Sequence, residues 1–329
     1  MKLKKFMLPV LLGGLLLNQS TTSAEEVDPL SRNDGLTVDE VLEASEDRDG
    51  DPISFAAHAR YRFEYTEDVK EDQRLAYNLY LTSTFKNDFK FLARIGNDAR
   101  SSAGDDNAYD PKIQWAMLVG EIGHGTQIRL GRQDLSVGYG LGIYDNRQWD
   151  GASAKIELGN EDSALRFGAL QKDDNDFYFA AYDGQFGDNL GIRASYTHNK
   201  DIAKLGTIGA QYKFNSPITL TGEYGRNQKT KANGYFVQGN YGTADLDEER
   251  SWTTWLQYRN SDAVFNGATR LDYTLKSIGF GAAKSNGFEL GFSYVPVEDM
   301  LATIKLWNGK ISGADRETSG AIQLEYFWK

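Results

Sequence analysis

The chain has 329 residues, a formal net charge of −11 and no cysteine. The acidic balance argues against a nucleic-acid partner, because phosphate binding needs clustered Lys and Arg. Without cysteine there is neither a disulfide framework nor thiolate chemistry.

Lys2, Lys4 and Lys5 precede an apolar run over residues 6–17, and a polar stretch ends at Thr22-Ser23-Ala24. This pattern predicts a signal peptide over residues 1–24, cleaved after Ala24. The run is too short to cross a bilayer as a helix, and no later segment is long and apolar enough. Any membrane span must therefore be built of strands. Residues 25–52 form an acidic segment. Thr37 and Glu40 have the spacing of a capping box and predict a short helix over residues 38–44. Asp47-Arg48-Asp49-Gly50-Asp51 looks like half a calcium loop. The position where such a loop places its bidentate Glu falls in the following strand, so a solvated linker is the plainer reading and no metal is expected.

From Ile53 the apolar period becomes two. Ile53, Phe55, Ala57, Ala59, Tyr61, Phe63 and Tyr65 share one face, and Ser54, His58, Arg60, Arg62 and Glu64 share the other. Such a run is longer than the usual globular strand and suits a tilted strand crossing a bilayer. The pattern recurs to the end of the chain and predicts about 16 strands. Leu75, Tyr77, Leu79 and Leu81 follow, then Phe89, Phe91, Ala93 and Ile95, then Ile113, Trp115, Met117 and Val119. Leu165, Phe167 and Ala169 are assigned to the lipid face, as are Phe177, Phe179 and Ala181. Tyr65, Tyr196, Tyr241, Trp252 and Trp328 fall near strand ends, where interfacial aromatics belong.

Connections alternate in length. Asn87-Asp88, Gly123-His124-Gly125, Gly187-Asp188 and Asn215-Ser216 are tight, whereas residues 97–110, 134–148, 261–286 and 308–317 are long. Short turns on one rim and long loops on the other mark a transmembrane antiparallel β-barrel, here over residues 53–329. Residues 25–52 would then lie on the periplasmic side.

Residues 131–151 follow the fifth strand and are rich in glycine. They are expected to fold into the barrel mouth as a constriction loop carrying Arg132, Asp134, Asp145, Arg147 and Asp150. Opposite them the lumen wall should carry Arg60, Arg62, Arg74, Lys90, Arg94 and Arg129. Further inward bases are Lys112, Lys155, Arg166, Arg193, Lys213, Arg259 and Lys305, against the acids Glu64, Glu157, Glu223, Glu289 and Glu325. Fixed charges in a narrow aqueous section bias which ion sign enters.

No catalytic motif stands up. His58, His124 and His198 form no H-E-x-x-H, and there is no G-x-S-x-G elbow. Gly138-Tyr139-Gly140-Leu141-Gly142 lacks the Lys-Ser/Thr of a P-loop. Neither an enzyme nor a cofactor is expected.

The chain resembles bacterial outer-membrane porins, most nearly the putative porins or major outer-membrane proteins of diderm Firmicutes. The residues that carry the resemblance are Gly131-Arg132-Gln133, Trp149-Asp150-Gly151, Gly287-Phe288-Glu289-Leu290-Gly291 and the closing series Ile322, Leu324, Tyr326 and Trp328. Lys329 departs from the family by following the terminal aromatic. Firmicutes members often carry an N-terminal wall-binding domain, and residues 25–51 are all that stands there in this chain. The resemblance implies a diffusion channel for small hydrophilic solutes in the outer membrane of a diderm bacterium. It also implies a homotrimer surrounded by outer-membrane lipid, with a last strand read by the barrel assembly machinery. The alternatives are a channel for one solute class, such as anions or sugars, or a structural protein tethering membrane to wall.

Overall fold

The computed structural model describes residues 36, 38–46, 53–66, 69–85, 89–100, 111–123, 125–141, 144–159, 163–172, 175–199, 203–262, 284–311 and 316–328. Residues 1–24, expected to be a signal segment, the Asp47–Asp51 motif and residues 101–110 and 263–283 lie outside these. One helix, α1 (Val38–Glu46), precedes sixteen strands. They are β1 (Ile53–Thr66), β2 (Val69–Thr84), β3 (Phe89–Arg100), β4 (Lys112–Glu121), β5 (Thr126–Ser136), β6 (Tyr144–Glu157), β7 (Ser163–Lys172) and β8 (Asn175–Phe186). The second half comprises β9 (Leu190–Asn199), β10 (Ala203–Lys213), β11 (Ile218–Asn227), β12 (Asn233–Thr243), β13 (Trp252–Ser261), β14 (Ser285–Tyr294), β15 (Met300–Ile311) and β16 (Arg316–Trp328).

Each strand pairs antiparallel with its chain neighbours, and β1 pairs β16, so the sheet is a closed barrel. Closure is what satisfies every backbone group where no water is present. The closing seam runs from Ala57 opposite Trp328 to Thr66 opposite Ser319. Turns from even to odd strands form the short rim, and the wider gaps at 101–111 and 262–284 lie on the other.

The alternation predicted for β1 holds residue by residue. Phe55, Tyr61 and Tyr65 are exposed outside, while His58, Arg60, Arg62 and Glu64 are buried inside. Outward-facing Leu75, Tyr77 and Leu79 on β2, Ile208 and Tyr212 on β10, and Ile322, Leu324 and Tyr326 on β16 extend an apolar outer surface of the kind lipid requires. Tyr241 stacks near Trp252 at 5.7 Å, and Trp252 near Phe292 at 6.1 Å, within the aromatic outer surface.

Two strands correct the sequence assignment. On β4, Ile113 is exposed, but Trp115, Met117 and Val119 are buried on the inner face. The register shifts between Arg94 and Ile95 on β3, where the partners step from Trp115 to Ile113, and this bulge reverses the phase. On β8, Tyr178 is exposed outside, and Phe177, Phe179 and Ala181 are buried inside. Both reversals have one physical cause: these stretches of inner wall face apolar chain rather than water. Trp115, Met117 and Val119 join Leu36, Val38 and Val41 of the α1 segment in one cluster. Phe177, Phe179 and Ala181 join Leu135, Val137, Tyr139 and Leu141 in another.

Candidate functional site

The stretch expected to be an infolded loop is paired strand over residues 131–136 and 144–151. β5 and β6 stay paired from Thr126 opposite Ile156 to Ser136 opposite Tyr144. Gly131 and Gly151 sit opposite each other with φ of 118° and 153°. A Cβ at Gly131 would collide with the Ala116 carbonyl, and one at Gly151 with the Ala169 carbonyl. Glycine is required at both, since the backbone bends here and leaves no room for a side chain.

Beyond this point the tip packs on the inner faces of β7–β12. Leu135, Val137, Tyr139 and Leu141 alternate along the chain and are all buried against Leu170, Phe177, Phe179, Leu205 and Phe236. Trp149 on the returning strand meets Phe177 edge-on at 4.4 Å. The polar anchors grip backbone. Arg166 Nη1 donates to the Ser136 carbonyl at 2.8 Å, and Arg193 Nη1 to the Gly138 carbonyl at 3.5 Å. The Leu141 N–H donates to Glu223 Oε2 at 2.6 Å. The N–H groups of Tyr139 and Gly140 and the Thr207 side chain act on the same carboxylate. The Arg193 guanidinium also lies 4.4 Å from the Tyr139 ring centroid. Asp183 holds both arginines, at 2.7 Å to Arg166 Nε and 3.3 Å to Arg193 Nε.

Of the charged residues expected in this stretch, Arg132, Asp134 and Asp150 are described. Arg132 and Asp150 pair with each other through two bonds of 2.9 Å. They share the parity of outward-facing Leu130 and Ala152, while Gln133 and Trp149 take the inward positions and are buried. Two parallel bonds between guanidinium and carboxylate satisfy the pair mutually. Asp134 falls at the register shift between Gln133 and Leu135 and is half-buried. The side chains of Asp145 and Arg147 lie outside the described residues.

The predicted wall arginines do face inward, but Arg60, Arg62, Arg74 and Arg94 are only 2–4% exposed. Arg62 Nε donates to Gln323 Oε1 at 2.5 Å, and its Nη1 to Glu64 Oε1 at 3.3 Å. Arg74 Nη2 lies 3.0 Å from Glu64 Oε2. Glu325 takes His58 Nε2 at 3.1 Å and accepts from Gln323 Nε2. Arg94 lies over the rings of Tyr80 and Trp115, at 5.7 and 5.1 Å. Arg129 donates to Gln127 at 2.8 Å, and Lys90 to Ser45 at 3.3 Å. The β1–β3 sector is a knitted network in which Glu64 and Glu325 offset much of the positive charge. Lys155, Arg166 and Arg193 on β6, β7 and β9 are half-exposed, as are Lys90 and Arg129.

Sequence reading by charge missed Glu223, Arg166 and Arg193 as anchors of the tip. The available signal was Leu135-Ser136-Val137-Gly138-Tyr139-Gly140-Leu141, whose apolar alternation is that of a strand with one face to bury. Among the described residues no three His, Asp or Glu side chains converge as a metal site.

No family model and no curated protein matches the chain. Solved structures do. An engineered triple mutant of the Rhodopseudomonas blastica porin superposes with a TM-score of 0.61 at 16% identity, covering 84% of this chain and all of that one. OmpT, an outer membrane protein of Vibrio cholerae in its trimer form, gives 0.59 at 12% identity, covering 84% and 99%. At these identities the likeness is one of fold: a closed barrel of sixteen antiparallel strands.

Proposed function

We propose that this chain is an outer-membrane porin, a passive diffusion channel for small hydrophilic solutes and ions. The observation that carries the reading is the hairpin tip, held against the inner wall by Glu223, Arg166 and Arg193. A barrel of this strand number encloses an aqueous lumen, and a segment fixed inside it narrows the path and sets a size limit. Residues 137–141 act as that constriction. The charge filter is carried by Lys155, Arg166 and Arg193, set against Asp183 and Glu157, more than by the buried β1–β3 network. No catalytic step is assigned.

The same reading places the barrel in the outer membrane of a diderm bacterium, with export through residues 1–24. It makes outer-membrane lipid the neighbour of the apolar face and the barrel assembly machinery the route of insertion. A homotrimer follows by analogy with the trimeric Vibrio cholerae neighbour, and kinship with the porins of diderm Firmicutes from the resemblance in sequence. Purified protein in planar bilayers should give discrete ohmic current steps. Deleting residues 137–141 should raise the step size and the exclusion limit for neutral polymers. A correctly folded barrel that never conducts would sink the channel reading.

A further inference from the structure

An aqueous lumen calls for a polar wall, yet one sector of this wall is apolar. Tyr80, Leu92, Trp115, Met117 and Val119, on β2–β4, point inward and are buried. They are covered by the start of the chain. Leu36, Val38 and Val41 belong to the same cluster, and Leu42 packs against it. The Leu36 N–H donates to the Tyr80 hydroxyl at 2.9 Å, and Lys90 Nζ to Ser45 Oγ at 3.3 Å. The cluster is completed by Ala244, Leu246, Val295 and Phe327, which belong to the short-turn rim. α1 therefore sits inside the mouth on that rim.

The helix is cut for this position. Val38, Val41 and Leu42 recur at helical spacing on one face, and exposed Glu43 and half-buried Glu40 fall on the other. A free helix of nine residues is marginal in water, so its order comes from the wall it lies on. Among the described residues the apolar inner sector is occupied by the α1 segment, and neither a lipid-facing nor a water-facing role explains it.

We propose that α1 is a resident plug of the short-turn mouth, narrowing the permeation path in series with the hairpin; this rests on the channel reading. Sixteen strands about 4.8 Å apart, tilted about 40°, make a barrel about 32 Å across the backbone. Allowing about 5 Å of side chain on each side leaves a lumen of about 20 Å. A helix about 10 Å wide then fills about a quarter of that section. Its release raises conductance by about 1.3-fold where the mouth limits the current.

The test uses the full-length protein in planar bilayers. Val38→Glu with Val41→Glu places carboxylates on the apolar sector and should undock α1, raising the current step by that factor. Because the chain has no cysteine, a Glu43→Cys variant can be labelled cleanly. A bulky thiol reagent added from the short-turn side should cut the current of this variant and leave the wild type untouched. A conducting wild type whose current neither the double variant nor the label alters overturns the plug and leaves the channel standing. Absence of pores from both proteins would remove the channel reading and the plug with it.

Discussion

Glu223 is the residue on which the tip's position depends most directly. Its carboxylate takes the Leu141 N–H at 2.6 Å and acts on the N–H groups of Tyr139 and Gly140, in a site where it is 4% exposed. Glu223→Gln keeps the volume and removes the charge. Charged hydrogen bonds contribute about 1.5–3 kcal/mol and neutral ones about 0.5–1.5, so the loss on the shortest bond is about 1.4 kcal/mol, or tenfold in the docking equilibrium. Glu223→Ala removes the acceptor altogether and leaves buried N–H groups bare, at about 1–3 kcal/mol for each that water fails to reach. The Arg166 and Arg193 contacts and the apolar packing remain in both variants. Single-channel recording in symmetrical salt reads the outcome. The Gln variant should flicker, with dwell times in the narrow level shortened by about tenfold. The Ala variant should add a wider, longer-lived level. Heat-stable migration of both barrels on gels would show that the wall is intact. An Ala variant with a folded barrel and a current matching wild type in amplitude and noise would refute the assignment of Glu223 as the latch.

Gly131→Val should destabilise the hairpin by about 1–3 kcal/mol, since it forces a β-branched residue to φ of 118° against the Ala116 carbonyl; urea unfolding in detergent measures it. Arg74→Met removes one of the two arginines that hold Glu64 inside the wall and should cost about 1.5–3 kcal/mol, with Glu64→Gln in the same chain recovering part of the loss in a double-mutant cycle. The register of β8 is tested by Tyr178→Lys against Phe179→Lys. The first puts a charge toward lipid at about 2–4 kcal/mol near the midplane and should block insertion into vesicles. The second should insert and loosen the hairpin, and the opposite ranking would restore the phase read from sequence alone.

The barrel was legible in the sequence because one parity of most strands is polar. On β1, Arg60, Arg62 and Glu64 can face only inward. On β4 and β8 the phase is absent, since Trp115-Ala116-Met117-Leu118-Val119 and Phe177-Tyr178-Phe179-Ala180-Ala181-Tyr182 are apolar or aromatic at both parities. Period two then gives a strand without saying which side is out, and the tertiary partners decide: α1 in one case and the hairpin in the other. The candidate site was less legible for a related reason. Charge drew attention to Arg132 and Asp150, which satisfy each other. The tip is held by its own backbone carbonyls and N–H groups, which every sequence has, and by Glu223, Arg166 and Arg193 on strands distant in the chain. The capping signal at Thr37 and Glu40 marked a helix but could not say that its apolar face would meet Trp115 and Met117.

The closing seam has a consequence for how the molecule is made. Fifteen of the sixteen seams join strands adjacent in the chain, so each can form as a local hairpin. The last joins Ala57 to Trp328 and Ala59 to Tyr326, across nearly the whole barrel sequence. Loop closure grows as (3/2)RT ln n, so this seam costs about 3 kcal/mol more entropy than a ten-residue hairpin. Until the final residues have emerged, β1 and the growing end both present open edges able to pair with other chains. Folding should therefore be quick along the ribbon and slow at a single terminal event. That event is the step a holding chaperone would have to protect.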